Sequence, residues 1–216
     1  MITACWSVKG GVGTTVVAAG LALVRHGGPS DPVLLVDLAG DLPTVLGITE
    51  PVGPGVAEWL AAGSDAPPDA LARLEIAVGP GLALLHRGIG PLDPRRADVL
   101  LQVLGASNRP VVVDCGLISA GGVAARVAAE AGRSLLVSRL CLLAMRHAAV
   151  APLRPSGVVV IRDFGRSLST GDIGRCAGAP VVAEMAADPM VARAVDAGLL
   201  ASRLPRAFAE TLRKVA

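Results

Sequence analysis

The stretch Val8-Lys9-Gly10-Gly11-Val12-Gly13-Thr14-Thr15 decides how the chain reads, because it joins two segments of different period. Before it, Ile2 to Val8 is a short apolar run suited to a buried strand. After it, Thr14 to His26 is rich in Ala, Val and Leu and long enough for a helix. Three glycines at a strand-to-helix turn let backbone N–H groups converge on an anion, and the helix N-terminus adds its positive dipole. A hydroxyl in the first helical turn, here Thr15, is placed to hold Mg²⁺ beside a bound phosphate.

Outward from that turn, apolar runs alternate with helical stretches, the pattern of a parallel sheet covered on both faces. Strands are expected at Pro32–Leu38, Pro110–Asp114, Arg133–Ser138, Gly157–Ile161 and Pro180–Glu184. Helices are expected at Ala120–Ala131, Leu140–Val150 and Thr170–Ala177, the last capped by Ser169, and beginning at Pro189 and Pro205. Residues 48–106 are broken by Gly, Pro and Asp. Short helices are predicted there at Gly55–Ala62 and Pro68–Leu74, strands at Glu75–Val78 and Leu82–His86, and a helix over Pro94–Leu104. With no repeat and no long linker, the 216 residues read as one α/β domain.

Two apolar runs end in an acid, Val33–Asp37 and Val111–Asp114. In a parallel sheet the carboxyl ends of strands share an edge, so both acids are expected beside the glycine-rich turn, where a carboxylate holds a metal or its water.

Composition narrows the function. At 52% hydrophobic and 18% charged residues, the chain is expected to fold. A net charge of +2 does not call for nucleic acid, and no basic cluster with interleaved aromatics occurs, so DNA is not favoured. Two of the 20 basic residues are lysine, Lys9 and Lys214; the other 18 are arginine, which marks Lys9 as a kept residue. Cys5, Cys115, Cys141 and Cys176 are widely spaced and read as reduced thiols. Met1 runs straight into the first apolar run, so no secretory leader is expected. No apolar stretch reaches the ~20 residues of a membrane span, and a cytoplasmic location follows, with recruitment to a membrane by a partner as the variant.

The loop resembles the deviant Walker A motif of the ParA/MinD family of P-loop ATPases, K-G-G-x-G-K-[ST], and its G-G-V-G-T-T form is similar to the CpaE/TadZ-like branch. Lys9, Gly10, Gly11, Gly13 and Thr15 match, whereas Thr14 stands where the family has its phosphate-gripping lysine, and Val8 replaces the usual opening glycine. The resemblance implies ATP or ADP with Mg²⁺, cradled by Lys9, Gly10, Gly11, Val12, Gly13, Thr14 and Thr15. It implies that Lys9 reaches the nucleotide of a partner protomer, that Thr15, Asp37 and Asp114 serve the metal, and that Asp114 is the Walker B acid. Asp37 matches the first acid of the family's D-x-D element; the second falls on Ala39, with Asp41 as a doubtful substitute. Asp188-Pro189 matches the segment that lies against adenine, and Arg162 falls where relatives read the base.

The loss of one ammonium group removes a charge-assisted contact of roughly 1.5–3 kcal/mol, so binding is weakened and hydrolysis more so. The implied function is a homodimeric, ATP-dependent positioning or assembly switch within a larger machine, with slow Mg-dependent ATPase activity at most. The alternative is a nucleotide-free pseudo-ATPase scaffold for pilus or secretion, septum or segregation machinery. In the tail, about residues 205–215, Leu204, Phe208, Leu212 and Val215 fall on one helical face. That stripe is expected to pack on the parent sheet, with membrane contact as the less favoured reading.

Overall fold

The computed structural model of the chain describes residues 1–63 and 66–216. The apolar runs form eight strands: β1 Ile2–Ser7, β2 Val33–Asp37, β3 Ile76–Gly79, β4 Leu82–Leu85, β5 Val111–Leu117, β6 Arg133–Arg139, β7 Gly157–Arg162 and β8 Val181–Ala186. They make one sheet in the order β3-β4-β2-β5-β1-β6-β7-β8. Only the β3–β4 pair is antiparallel among the described residues. From β1 the chain runs outward to β2, returns through β5 and continues on the other side with β6, so a crevice opens at the carboxyl ends of β5, β1 and β6.

Helices cover both faces: α1 Thr14–Arg25, α2 Leu42–Leu46, α3 Val56–Ala61, α4 Ala97–Gly105, α5 Val123–Glu130, α6 Leu142–Ala149, α7 Thr170–Ala177, α8 Pro189–Asp196 and α9 Arg206–Arg213. The strands are apolar on both sides because each side meets helices. Alternate residues divide between two cores. Trp6, Leu34, Val36, Val113, Leu136 and Val160 join Trp59, Leu100 and Ile173 on one face. Cys5, Leu35, Val112, Val137 and Val159 join Val17, Leu21, Phe208 and Leu212 on the other.

Two differences from the sequence reading concern short segments. Residues 68–74 form two 3₁₀ turns, Pro68–Ala70 and Ala72–Leu74, where one helix was predicted. An α-helical nucleus fixes several residues for one hydrogen bond, and so few residues do not recover that cost. Helix α2 was not predicted at all; its five residues are too few for a period to show.

The tail packs within the domain, though mainly on α1 and less on the end strand β8, where the sheet was expected. Phe208, Leu212 and Val215 are buried. Gly20 of α1 makes room for two of them: a Cβ there would lie 2.5 Å from Leu212 Cδ1 and 2.6 Å from Phe208 Cε1. The apolar stripe is spent on α1, and among the described residues no helix is long and apolar enough to cross a membrane.

Candidate functional site

The turn after β1 is built by two glycines in the left-handed region, Gly11 at φ 72° and Gly13 at φ 95°, which a side chain would strain. A Cβ placed on Gly10, Gly11 or Gly13 meets no residue beyond its chain neighbours within 4 Å, and the loop lines an open cavity. Val12 instead points inward and is 1% exposed, pinning the loop to the core. Lys9 folds back along the turn, its Nζ donating to the Gly10 carbonyl at 3.3 Å. His147 Nδ1 lies 2.9 Å from the Val8 carbonyl and ties the loop to α6.

Two cavities meet at this loop, sharing Gly11, Val12, Gly13 and Val16. One, of about 830 Å³, is the polar end: it is lined by Gly10 to Thr15 and by Asp41, Arg87, Gly116 and Ser119. The other, of about 870 Å³, is the apolar end, lined by Ile161, Met185, Ala187, Pro189, Val191 and Phe208, with Arg139 and Asp188 at its edge. Together they suit a ligand with an anionic end and a flat apolar end.

Asp114 and Asp37 are register partners on β5 and β2, and both are fully buried. Their surroundings differ. Asp37 Oδ1 accepts the Ala39 and Gly40 N–H groups at 2.9 and 2.6 Å, and its Oδ2 accepts that of Leu42 at 3.1 Å. Burial still raises its pKa, against the pull of those three donors. Asp37 therefore organises the loop that presents Ala39 and Asp41. Asp114 Oδ1 accepts the Gly116 N–H at 3.0 Å, but among the described residues Oδ2 has no hydrogen-bond partner although it is buried. Burial pushes the Asp114 carboxyl up to about 7; the nearby Thr15 hydroxyl pulls the other way, and the Asp37 charge adds to the rise. A buried carboxylate oxygen that makes no hydrogen bond of its own, with the Thr15 hydroxyl nearby, is an open place for a cation.

At the apolar end Asp188 caps α8, its Oδ1 accepting the Met190 N–H at 2.8 Å, and Asp188 and Pro189 both line the cavity. Arg162, named from the sequence as a base contact, is not among the lining residues: its Nη2 pairs with Glu184 Oε1 at 2.5 Å. Strand alternation explains the difference. Ile161 faces the cavity, and the next residue points to the opposite side of the sheet. Only the Arg162 backbone reaches this end, its carbonyl accepting the Ala187 N–H at 2.9 Å. Arg139, which the sequence reading passed over, lines the cavity, paired with Asp163 at 2.5 Å while its buried Nε lacks a partner.

Arg87 was missed as well. It follows β4, which pairs in parallel with β2, so it arrives at the same sheet edge as Asp37. Only long-range strand order carries it there. Elsewhere, all four cysteines are free, and the buried Cys5 and Cys115 thiols are pushed far up by desolvation, which makes them inert. Arg95 pairs with Asp93, and Arg96 stacks 4.2 Å over Trp59, so both have partners within the chain.

No family model and no curated protein matches this sequence. Solved structures do match. The chain is similar to a ParA family ATPase from Chlorobium tepidum with a TM-score of 0.78 and 20% identity, over 98% of this chain and 95% of that one. It is similar to the cell division ATPase MinD of Pyrococcus furiosus with a TM-score of 0.77 and 20% identity, over 99% and 97%. The septum site-determining protein MinD of Pyrococcus horikoshii, solved with Mg-ADP, matches with a TM-score of 0.72 and 22% identity, over 100% and 94%. The chain has the fold of the ParA/MinD P-loop ATPases: one domain with a mostly parallel eight-stranded sheet and helices on both faces.

Proposed function

We propose that the chain binds ATP with Mg²⁺ at the Val8–Thr15 loop and acts as a homodimeric positioning or assembly switch with weak hydrolysis. The observation that carries this is the pairing of an open glycine cradle with a buried acid whose Oδ2 has no partner. A fold that served only as a scaffold gains nothing from that oxygen. Keeping Asp114 ionised above its pKa of about 7 disfavours the folded state by roughly 4 kcal/mol. A divalent cation reverses that penalty. The Mg-ADP of the Pyrococcus horikoshii relative is consistent with the same ligand class here.

In this reading the N–H groups of Gly10 to Thr15 hold phosphate oxygens, Thr15 and Asp114 hold Mg²⁺, and the apolar cavity takes the base. Mg²⁺ supplies charge neutralisation at the phosphates. Lys9 leaves its weak contact with the Gly10 carbonyl to reach the partner protomer's nucleotide. Hydrolysis is slow because Thr14 brings no charge and Ala39 no carboxylate. The switch would report nucleotide state to a protein partner within a larger assembly.

Titration of ATP against the purified protein, with and without Mg²⁺, tests the proposal, with oligomeric state followed by light scattering. Binding strengthened by Mg²⁺ and accompanied by dimerisation is expected, and Lys9→Ala is expected to lose the dimer. Absence of binding at millimolar ATP would replace this reading with the nucleotide-free scaffold.

A further inference from the structure

We infer that Arg87 supplies, from the opposite wall of the polar cavity, the positive charge that Thr14 does not bring to the phosphates. The inference rests on the nucleotide reading above and assigns a further phosphate-binding residue within that site.

Thr14 occupies the position from which a side chain follows the loop into the cavity, and it is 7% exposed and uncharged. The cavity still holds one arginine. Arg87 lines it together with Gly10–Thr15, Ala39 and Asp41. Among the described residues its guanidinium has no acidic partner, although ten ion pairs engage many of the chain's other arginines. Among the described residues its one side-chain hydrogen bond is a long one, Nη1 to the neighbouring Gly88 carbonyl at 3.4 Å. A half-buried guanidinium presents five donors, and here they have almost nothing to bond.

The segment that presents Arg87 is held on every side. Its carbonyl accepts the Ala57 N–H at 2.8 Å, and the His86 carbonyl accepts that of Val56 at 3.0 Å. Glu58 then clasps the residues that follow: Oε1 accepts the Ile89 and Gly90 N–H groups at 2.9 and 3.2 Å, and Oε2 accepts that of Gly55 at 2.8 Å. Gly88 is in the left-handed region at φ 77°, and a Cβ there would lie 1.9 Å from Glu58 Oε2. Across the cavity wall Gly40 lies against the arginine stem, a Cβ on it standing in ordinary contact with Arg87 Cδ at 3.4 Å. A surface arginine does not need such a mount; a planar, bidentate donor aimed at phosphate oxygens does.

The chemistry fits the position. A guanidinium is always charged and binds phosphate in a fork, so one arginine on the far wall meets the terminal phosphates while the loop amides hold the inner ones. That division predicts a residue whose importance rises with phosphate number.

Isothermal titration of Mg-ATP and Mg-ADP against wild type and Arg87→Ala tests this. Arg87→Ala is expected to weaken Mg-ATP by about tenfold to a hundredfold and Mg-ADP by less. Arg87→Gln guards against a folding defect, with thermal melting as the control. Adding Thr14→Lys to Arg87→Ala is expected to restore ATP affinity, because the charge returns by the other route. Wild-type ATP binding that survives both Arg87 variants unchanged overturns the inference and leaves the nucleotide reading intact. No ATP binding by wild type overturns both.

Discussion

The polar and apolar ends of the site hold their shapes by different means. At the polar end, geometry is set by backbone: Gly11 and Gly13 turn the loop, and Asp37 gathers three N–H groups behind it. At the apolar end, geometry is set mainly by packing of Ile161, Met185, Val191 and Phe208, with Arg139, Asp188 and Asp196 at the edge. Directional donors discriminate strongly between ligands, whereas apolar walls discriminate by shape alone. The site is therefore expected to be strict about phosphates and tolerant about bases.

The largest effect that sharpens this contrast lies at the apolar end. Phe208→Ala removes a side chain that lines the cavity and also packs on Gly20 of α1. It is expected to cost about 3–5 kcal/mol of stability by chemical denaturation, with Mg-ATP affinity falling only as far as the fold loosens. A change confined to binding would show that α9 is a ligand wall and not a structural support.

At the polar end the sign reverses. Asp114→Asn keeps the shape of the side chain and removes the buried charge, so the nucleotide-free protein is expected to gain up to roughly 4 kcal/mol at neutral pH, less the cost of burying the amide, while losing its response to Mg²⁺. Because the folded-state pKa is raised, native protein holds its proton longer than unfolded chain. Wild-type stability should therefore fall as pH rises from the ordinary carboxylate range to about 7. Asp37 adds a slope of the same sign, so in Asp114→Asn the fall shrinks without vanishing. Denaturation midpoints across that range check both points, and an unchanged slope would show that Asp114 is already neutralised.

Base choice comes next in size. With no side chain placed to offer both a donor and an acceptor, ATP and GTP should bind within about tenfold of each other, or 1.4 kcal/mol. Arg162→Ala is the smallest expected effect. Its guanidinium pairs with Glu184 on the opposite side of the sheet, an exposed pair worth about 0–1 kcal/mol, and nucleotide affinity should not change. A loss of affinity would restore Arg162 as a base contact.

The same contrast explains what could be read from the chain alone. The glycine-rich loop was legible because its chemistry is local: a strand, three glycines and a helix follow one another between Ile2 and Arg25. Asp114 was legible through the rule that parallel strands end on one edge. Arg87 was not, because its place depends on β4 pairing with β2, a contact that no local pattern in residues 48–106 announces. Arg162 and Arg139 show a subtler limit. A shift of one residue moves a strand side chain to the other face, and strand ends blur by that much in sequence. Asp37 was correctly set on the edge, yet only the structure reveals that backbone donors occupy both its oxygens.

A crystal grown with Mg²⁺ and a nonhydrolysable ATP analogue tests most directly whether the loop and Asp114 form one Mg-nucleotide site. Phosphates wrapped by the N–H groups of Gly10 to Thr15, with a cation within bonding distance of Asp114 Oδ2, are the expected result. An empty loop at millimolar analogue, with Asp114 still unpartnered, would contradict it.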